Sequence, residues 1–246
     1  SPYSLAFSSD SMAKPTSAAN KLYAALYSTV IPSLFNQRMR RIPFSMSMTF
    51  LVNRLLARDI EEELVGWESE VKREVDVTPN SVVFDIGANI GQWTLWFARQ
   101  TRGLVVAFEP DEEAFFWLRR NTAKYGNVMP LKLAAWREDK MLSLNKPHVS
   151  FMSSVSEVQS KNMVTARTLD GVAKDLRLSK IDLTKMDVEG AEADVLAGAP
   201  NVLRMCKQVL VEVHRAEQKN KLINALKESG FIVKVVRERW LLGSKD

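Results

Sequence analysis

Acidic side chains stand where two predicted strands end, on either side of a short glycine turn. Asp85 follows the apolar run 82–84 and precedes the turn 87–91, which begins and ends with glycine. Glu109 directly follows a second apolar run, 104–108. In a strand–turn–helix unit, the carboxyl ends of parallel strands form the edge at which nucleotide cofactors bind. The spacing therefore predicts a nucleotide-type pocket with two carboxylates beside it.

Asp85 separates two classes of cofactor. A dinucleotide site holds a pyrophosphate at the glycine turn, where a neighbouring carboxylate would repel it, and this turn lacks the third glycine of the G-x-G-x-x-G pattern. S-adenosylmethionine carries a sulfonium and an ammonium, both of which a carboxylate attracts. We therefore expect S-adenosylmethionine, with Asp85 binding the ammonium directly or through water and Glu109 accepting hydrogen bonds from the ribose hydroxyls. Glu109 by itself would fit NAD as well.

A second group of acids follows a later predicted strand, 181–186. Asp187 ends this strand, Glu189 and Gly190 turn the chain, and Glu192 opens the next predicted helix. Three acids so close together exceed what a solvated turn needs, so we expect Asp187 and Glu189 to be functional. For Glu192 the sequence favours a simpler interpretation, a charge placed at a helix N-terminus.

A histidine follows the next apolar strand, 208–213. That strand carries Glu212, which needs a polar partner if it is buried, and His214 emerges at the same rim as Asp187. Transfer of a methyl group to a hydroxyl requires loss of the hydroxyl proton, and histidine has a suitable pKa for accepting it. We predict that His214 or Asp187 removes this proton. A divalent metal held by Asp187 and Glu189 is the less favoured alternative, and we expect no metal site.

The elements that position these residues alternate between strand and helix, which predicts a parallel sheet with right-handed crossovers. Asp111 is expected to cap a helix at 112–125, and Gly230 to end the last helix. Residues 137–167 break the alternation and are predicted to form an insertion beside the cofactor. The remaining predicted elements are a helix at 92–99, a third strand at 128–134, helices at 191–197 and 216–229, and a closing antiparallel pair at 231–236 and 240–242.

The formal net charge of +5 is confined to the N-terminal quarter of the chain. Residues 1–60 contain seven Lys or Arg and two Asp or Glu, whereas residues 61–246 contain 27 of each kind. We therefore divide the chain into a basic N-terminal extension, 1–75, partly disordered and then helical, and a methyltransferase domain, 76–246. The extension could dock on an anionic surface or on RNA. The neutral catalytic part, however, lacks the basic character that a nucleic-acid enzyme needs beside its active site.

The composition excludes several kinds of site and setting. Cys206 is the only cysteine, so neither an intrachain disulfide nor a cysteine-cluster zinc site is possible, and the two histidines argue against a histidine-rich metal site. No apolar run approaches the ~18 residues of a membrane-spanning helix. We expect a cytoplasmic, reducing setting. The Ser- and Ala-rich segment 1–19 also resembles an organellar transit segment, which leaves targeting open as an alternative.

Taken together, the motifs resemble those of the FkbM-type methyltransferases, over about residues 81 to 236. The resemblance implies S-adenosylmethionine as cofactor and O-methylation of a hydroxyl on a small molecule or glycan. It also implies an α/β, class I Rossmann-like fold with a seven-stranded, mostly parallel sheet and helices on both faces. Trp136 departs from the family pattern and is expected to shape the wall near the adenine. The motifs are Phe-Asp-Ile-Gly-Ala-Asn-Ile-Gly (84–91), Phe-Glu-Pro (108–110), Thr-Leu-Asp (168–170), Lys-Met-Asp-Val-Glu-Gly-Ala-Glu (185–192) and Val-Glu-Val-His (211–214).

Two other functions remain open at this point. One is an RNA or protein methyltransferase that docks through the basic extension, although the fourth strand lacks the Asn/Asp-Pro-Pro-Tyr/Phe motif used on base nitrogens. The other is a non-enzymatic binding protein on a degenerate fold, against which the intact acidic set argues. For the favoured function, the expected catalytic residues are Asp187, Glu189 and His214. The expected cofactor contacts are Asp85, Gly87, Ala88, Asn89, Gly91, Glu109, Pro110, Ala134 and Ala135, the two alanines flanking the adenine from the end of the third strand.

Overall fold

A computed structural model of the chain describes residues 66–145, 154–156 and 162–245, and for 66–69, 154 and 156 it describes the backbone alone. The chain divides into units at 1–69 and 70–246, so the described residues belong almost entirely to the second unit. The helices expected before residue 66 lie outside the described residues. Within those ranges, no helix combines the length and the apolar character needed to cross a membrane.

Among the residues that the structure describes, seven strands form the main sheet and four others form a second one. In chain order the strands are β1 (Val83–Ile86), β2 (Val105–Phe108), β3 (Val128–Leu131), β4 (Ala134–Ala135), β5 (Lys140–Asn145), β6 (Ser154–Ser156), β7 (Met163–Arg167), β8 (Ile181–Met186), β9 (Cys206–Glu212), β10 (Ile232–Arg237) and β11 (Trp240–Ser244). The main sheet has the order β10–β11–β9–β8–β1–β2–β3. Its pairs are parallel except where β11 runs antiparallel to β9 and β10. This confirms the expected class I Rossmann-like α/β fold.

Helices follow most of the strands, as the alternation predicts. They are α1 (Gly66–Arg73), α2 (Gln92–Gln100), α3 (Glu112–Thr122), α4 (Leu169–Asp175), α5 (Glu192–Ala197), α6 (Pro200–Met205) and α7 (Lys219–Glu228), the last after a 3-10 turn at Ala216–Gln218. Asp111 caps α3, because its side chain accepts hydrogen bonds from two backbone N–H groups of the first turn. The sequence did not predict α4 and α6. Asp170 in α4 accepts the backbone N–H groups of Asn201 and Val202 and so fixes the start of α6.

Alternate residues of the central strands point to opposite faces of the sheet, and each face is covered by helices. On one face, Phe84 of β1 and Phe108 of β2 pack in a cluster with residues of α4, α5, α6 and α7. On the other, Val83 packs with Trp93 and Phe97 of α2. Continuous burial of β1, β2 and β8 follows from this double cover, as parallel strands require. The carboxyl ends of these strands consequently meet at one edge of the sheet.

The second sheet has the order β4–β7–β5–β6 and corrects part of the sequence prediction. The expected third strand, 128–134, ends at Leu131, and Ala134 and Ala135 instead pair with β7. The N–H of Trp136 also donates to the carbonyl of Arg167, so the backbone of 134–136 is paired with β7 along its length. The insertion expected within 137–167 is thus a small sheet.

Candidate functional site

The glycine turn after β1 brings the backbones of two strand ends together. Gly87 has a φ of 74°, and a Cβ built there would lie 1.8 Å from the carbonyl oxygen of Asp187. Both the left-handed φ and this close approach require glycine. Asn89 (φ 50°) and Gly91 (φ 97°) complete the turn, and Gly91 is the N-cap of α2. Residues at the ends of β1 and β8 therefore line one pocket.

Glu109 lies at the end of β2 with only 6% of its surface exposed. Its Oε2 accepts the backbone N–H of Asn89 at 2.8 Å, and its Oε1 accepts that of Asp111 at 2.8 Å. Burial raises the pKa of Glu109 to about 7, although the two N–H donors oppose this. An ionised carboxylate offers about four lone-pair positions, so Glu109 is held by the backbone and can still accept hydrogen bonds from a ligand.

Asp85 is fully buried and does not line the pocket. Its Oδ2 accepts a hydrogen bond from the hydroxyl of Thr94 at 2.5 Å, and its Oδ1 lies 3.3 Å from Nζ of Lys185. Lys185 also donates to the carbonyl of Gly87 at 3.2 Å and lies 3.5 Å from Oδ2 of Asp187. The buried ammonium thus connects the glycine turn with the end of β8. Contact of Asp85 with a ligand, directly or through water, stays a prediction.

The pocket encloses about 680 Å³ of empty space, including its open mouth. Six of the nine expected cofactor residues line it: Gly87, Asn89, Glu109, Pro110, Ala134 and Ala135. Asp85, Ala88 and Gly91 do not; Ala88 packs against Ala107 and Leu118 instead. Trp136 is likewise not among the lining residues and is buried in a cluster with Leu142 and Ala166, and its expected role in the wall near the adenine stays a prediction. Leu133, between β3 and β4, and Val155 of β6 also line the pocket.

Asp187, Glu189, Glu192 and His214 form a connected group at the pocket's rim, called here the acidic edge. Asp187 and Glu189 line the pocket. His214 does not line it, but its Nε2 lies 3.4 Å from Oδ1 of Asp187 and 3.4 Å from Oε2 of Glu189. Its Nδ1 lies 2.7 Å from Oε1 of Glu192, which is fully buried. The structure therefore brings together the three expected catalytic residues and adds a fourth side chain.

The charges of the acidic edge act on one another. Burial lowers the pKa of His214, but the hydrogen bond to Glu192 and the nearby Asp187 and Glu189 outweigh it, so the net pKa is raised. Burial raises the pKa of Glu189. Glu212 at the end of β9 accepts a hydrogen bond from Arg239 at 2.7 Å, and burial together with Asp187 raises its pKa to about 7. The neighbouring carboxylates thus make the imidazole of His214 a stronger base than a free histidine.

Three side chains at this rim lie close enough together to hold a metal ion. Single ligand atoms of Asp187, Glu212 and His214 lie within 4.8 Å of one another. Two cationic side chains already face this group, since Arg239 pairs with Glu212 and Lys185 lies beside Asp187. We assign no metal here, and the expectation that none is bound stays a prediction.

Two residues of the site escaped the sequence prediction. Lys185 lies in the buried strand β8, where a charged side chain needs partners, and this signal could have pointed to Asp85 and Asp187. Glu192 does stand in the first turn of α5, as expected, but it also holds His214. No pattern in the sequence pairs Glu192 with a histidine 22 residues away, because the pairing depends on how β8 and β9 align.

Comparison with known proteins agrees with this geometry. Residues 85–233 match the family model of the methyltransferase FkbM domain. The chain is 30% identical to the hexuronic acid methyltransferase AglP of Haloferax volcanii, covering 84% of this chain and 90% of that protein. It is 28% identical to methyltransferase 1 of Beauveria bassiana (75% and 86% covered) and 25% identical to the 31-O-demethyl-FK506 methyltransferase FkbM of Streptomyces tacrolimicus (79% and 89% covered). With the seven-stranded fold and the strand-end pocket, these matches show that the chain belongs to the FkbM methyltransferase family.

Proposed function

We propose that this methyltransferase uses S-adenosylmethionine to methylate a hydroxyl group of a small molecule or glycan. The single observation that carries the proposal is the composition of the pocket. Glu109, a hydrogen-bond acceptor fixed by two backbone N–H groups, stands at one side, and Asp187 and Glu189 stand at the other with His214 behind them. A methyl donor and an acceptor hydroxyl need different chemistry, and the two sides offer it.

Several features of the pocket suit the cofactor. The carboxylate of Glu109 can accept hydrogen bonds from two ribose hydroxyls, and the small side chains of Ala134 and Ala135 leave room for a flat ring. Gly87 keeps the turn free of a side chain where the backbone approaches Asp187. These observations support the cofactor contacts that the sequence predicts.

The mechanism needs little covalent chemistry from the protein. S-adenosylmethionine supplies a methyl group already activated on a sulfonium. The protein holds the acceptor in line with that methyl group, and such positioning is worth about 7–11 kcal/mol of the barrier. His214 accepts the hydroxyl proton at Nε2, while Asp187 and Glu189 orient the acceptor and stabilise the resulting imidazolium.

The acceptor class is supported by the relatives. One is named for a hexuronic acid and another for the 31-O position of FK506, and a 2-O-methyltransferase, NoeI of Sinorhizobium fredii, is 26% identical over 155 residues. Two of these three names specify transfer to oxygen, and we propose this chemistry for the present enzyme.

The test uses the full chain with radiolabelled S-adenosylmethionine and separate pools of glycans, lipids, RNA and protein. We expect label in the glycan or small-molecule fraction, and alkali-stable label consistent with an ether. Calorimetry should also detect binding of S-adenosylhomocysteine. Label confined to RNA or protein would replace the proposed acceptor class, and binding of NAD without any binding of S-adenosylhomocysteine would remove the cofactor assignment.

The two-part division of the chain, 1–75 and 76–246, and a cytoplasmic setting belong to the same proposal. The basic excess of residues 1–60 supports attraction to an anionic surface, which salt should screen. A chain shortened to begin near Ser45 should keep its cofactor affinity and lose binding to anionic lipid or RNA at low salt. Unchanged binding to every anionic partner would remove the docking role, and loss of folding would place this segment in the core.

A further inference from the structure

The imidazole of His214 is held from one side by a buried carboxylate. Its Nδ1 lies 2.7 Å from Oε1 of Glu192, and the histidine side chain is only 10% exposed. The same Oε1 accepts the backbone N–H of Gly190 at 3.0 Å, and Glu192 itself is fully buried. Glu192 is thus fixed by the backbone of the loop after β8, on the opposite side of the imidazole from Asp187 and Glu189.

This contact decides which ring nitrogen carries the proton of a neutral imidazole. Oε1 of Glu192 already accepts the backbone N–H of Gly190 and so acts as an acceptor, which makes Nδ1 the donor in the contact with Glu192. The lone pair of neutral His214 then lies on Nε2. That nitrogen faces Asp187 and Glu189, the two residues of the acidic edge that line the pocket.

We infer that Glu192 is the positioning residue that fixes the proton of neutral His214 on Nδ1 and thereby presents the Nε2 lone pair toward the pocket. The inference deepens the proposed function and rests on it for the identity of the proton donor, the acceptor hydroxyl. In the reaction the acceptor O–H bond breaks as the oxygen bonds to the methyl carbon. The proton goes to Nε2, and the electron pair of the sulfur–methyl bond stays on sulfur.

The surroundings explain why the opposite tautomer is disfavoured. Among the described residues, the ionisable groups facing the imidazole are Glu192 from α5, Asp187 and Glu189 from the loop after β8, and Glu212 from β9. With the proton on Nε2, the Nδ1 lone pair would face the lone pairs of Glu192 at only 2.7 Å, which is strongly repulsive. With the proton on Nδ1, the Nε2 lone pair faces Asp187 and Glu189 at the longer distance of 3.4 Å, so the second arrangement costs less. Lys185 and Arg239 face Asp187 and Glu212 from the other side. The positions of these charges also favour the imidazolium formed after proton uptake.

The experiment measures the imidazole nitrogens directly. His148 and His214 are the only histidines, so His148→Gln leaves one imidazole, whose nitrogen shifts report the tautomer after ¹⁵N-histidine labelling. At a pH well above the imidazole pKa, we expect His214 to carry its proton on Nδ1. Glu192→Gln should keep this tautomer, because the amide oxygen can accept both hydrogen bonds, but should lower the pKa of His214 through loss of the negative charge. Glu192→Leu, which removes the acceptor, should abolish the preference.

A matched control is available on the same helix turn. Asp194 is also acidic and in the first turn of α5, but it pairs with Arg137 at 2.7 Å. Asp194→Asn removes the same charge from the same helix end and should leave the tautomer and the pKa of His214 unchanged. If Glu192→Leu does not fold, the wild-type tautomer and the pKa change in Glu192→Gln decide the question.

Three results would overturn the inference: a wild-type Nε2 proton, an Nδ1 proton that persists in Glu192→Leu, or equal pKa changes in Asp194→Asn and Glu192→Gln. Once an acceptor is known, Glu192→Leu should lower kcat with little change in the acceptor KM. Failure of the proposed function gives a different result. His214 would then carry its proton on Nδ1 as expected, but no methyl group would be transferred to any oxygen acceptor.

Discussion

The two sides of the pocket are built in different ways. On the side of Glu109, which we propose to hold the cofactor and call here the cofactor side, main-chain groups do most of the positioning: the N–H groups of Asn89 and Asp111 hold Glu109, and Gly87 shapes the turn. These residues lie within a short stretch of chain. On the acidic edge, side chains hold side chains, and Glu192 and His214 come from separate elements. The effect of a substitution should therefore stay local on the cofactor side. On the acidic edge, a substitution should also change the pKa values of the neighbouring side chains.

The difference also separates binding from chemistry. Backbone donors cannot change their protonation, so they give a fixed cradle for a cofactor. Side-chain carboxylates and an imidazole can exchange protons, which is the property that removal of a hydroxyl proton requires. Lys185 is the side chain that touches both sides, through Gly87 and Asp187.

Among the proposed variants, His214→Ala should separate turnover from cofactor affinity most clearly. We expect turnover to fall by a factor on the order of 10²–10⁴, the usual contribution of a general base, because no other neutral base occupies the Nε2 position. Affinity for S-adenosylhomocysteine should change little, since His214 does not line the pocket. Single-turnover rates and calorimetry measure the two quantities. A large loss of cofactor affinity would show that the two sides are not independent.

Lys185→Met should impair both sides of the pocket at once, because Lys185 contacts both of them. Loss of the buried ammonium leaves Asp85 and Asp187 without the cation that lies beside both, and breaking a buried pair costs about 3–5 kcal/mol of unfolding free energy. Denaturant unfolding gives the stability, and cofactor affinity and turnover should both fall. Lys180→Met is the matched control, since that lysine is half exposed and pairs with Asp182 at the other end of β8. Wild-type stability in Lys185→Met would mean that the ion pairs contribute nothing.

Glu109→Gln should affect binding alone. A hydrogen bond to a charged group contributes about 1.5–3 kcal/mol, so the Kd for S-adenosylhomocysteine should rise by roughly tenfold or more. The amide can also accept only one of the two backbone N–H groups well, which loosens the side chain. Glu112→Gln, an exposed neighbour on α3, serves as the control. Calorimetry decides, and an unchanged Kd would remove Glu109 from the cofactor contacts.

The smallest expected effect is the pH dependence of cofactor affinity. Burial raises the pKa of Glu109 to about 7, and the ionised form accepts more hydrogen bonds than the protonated form. Affinity for S-adenosylhomocysteine should therefore increase several-fold as the pH rises through about 7 and then level off. Glu109→Gln should show no such rise. An affinity that falls over this range would contradict the assigned protonation.

Much of the cofactor side could be predicted from the sequence, because its determinants are local. Gly87 and Glu109 stand at fixed distances from apolar runs that the pattern predicts to be buried strands, and a glycine with positive φ follows from the tight turn. Pairing of the parallel strands then brings these positions to one edge. The predicted strand 128–134 was wrong at its end: β3 stops at Leu131, because Ala134 and Ala135 pair with β7 and not with the main sheet.

The amino-acid sequence by itself determined the fold class, the family and the positions of Asp187, Glu189 and His214 at strand ends. Only the tertiary structure decided which side chains of the acidic edge contact one another and how their pKa values shift. The roles of Glu192 and Lys185 depend on distances of a few ångströms between β1, β8, β9 and α5. The pKa of each group depends on its burial and on its distances to the surrounding charges, and the order of residues along the chain gives neither of these.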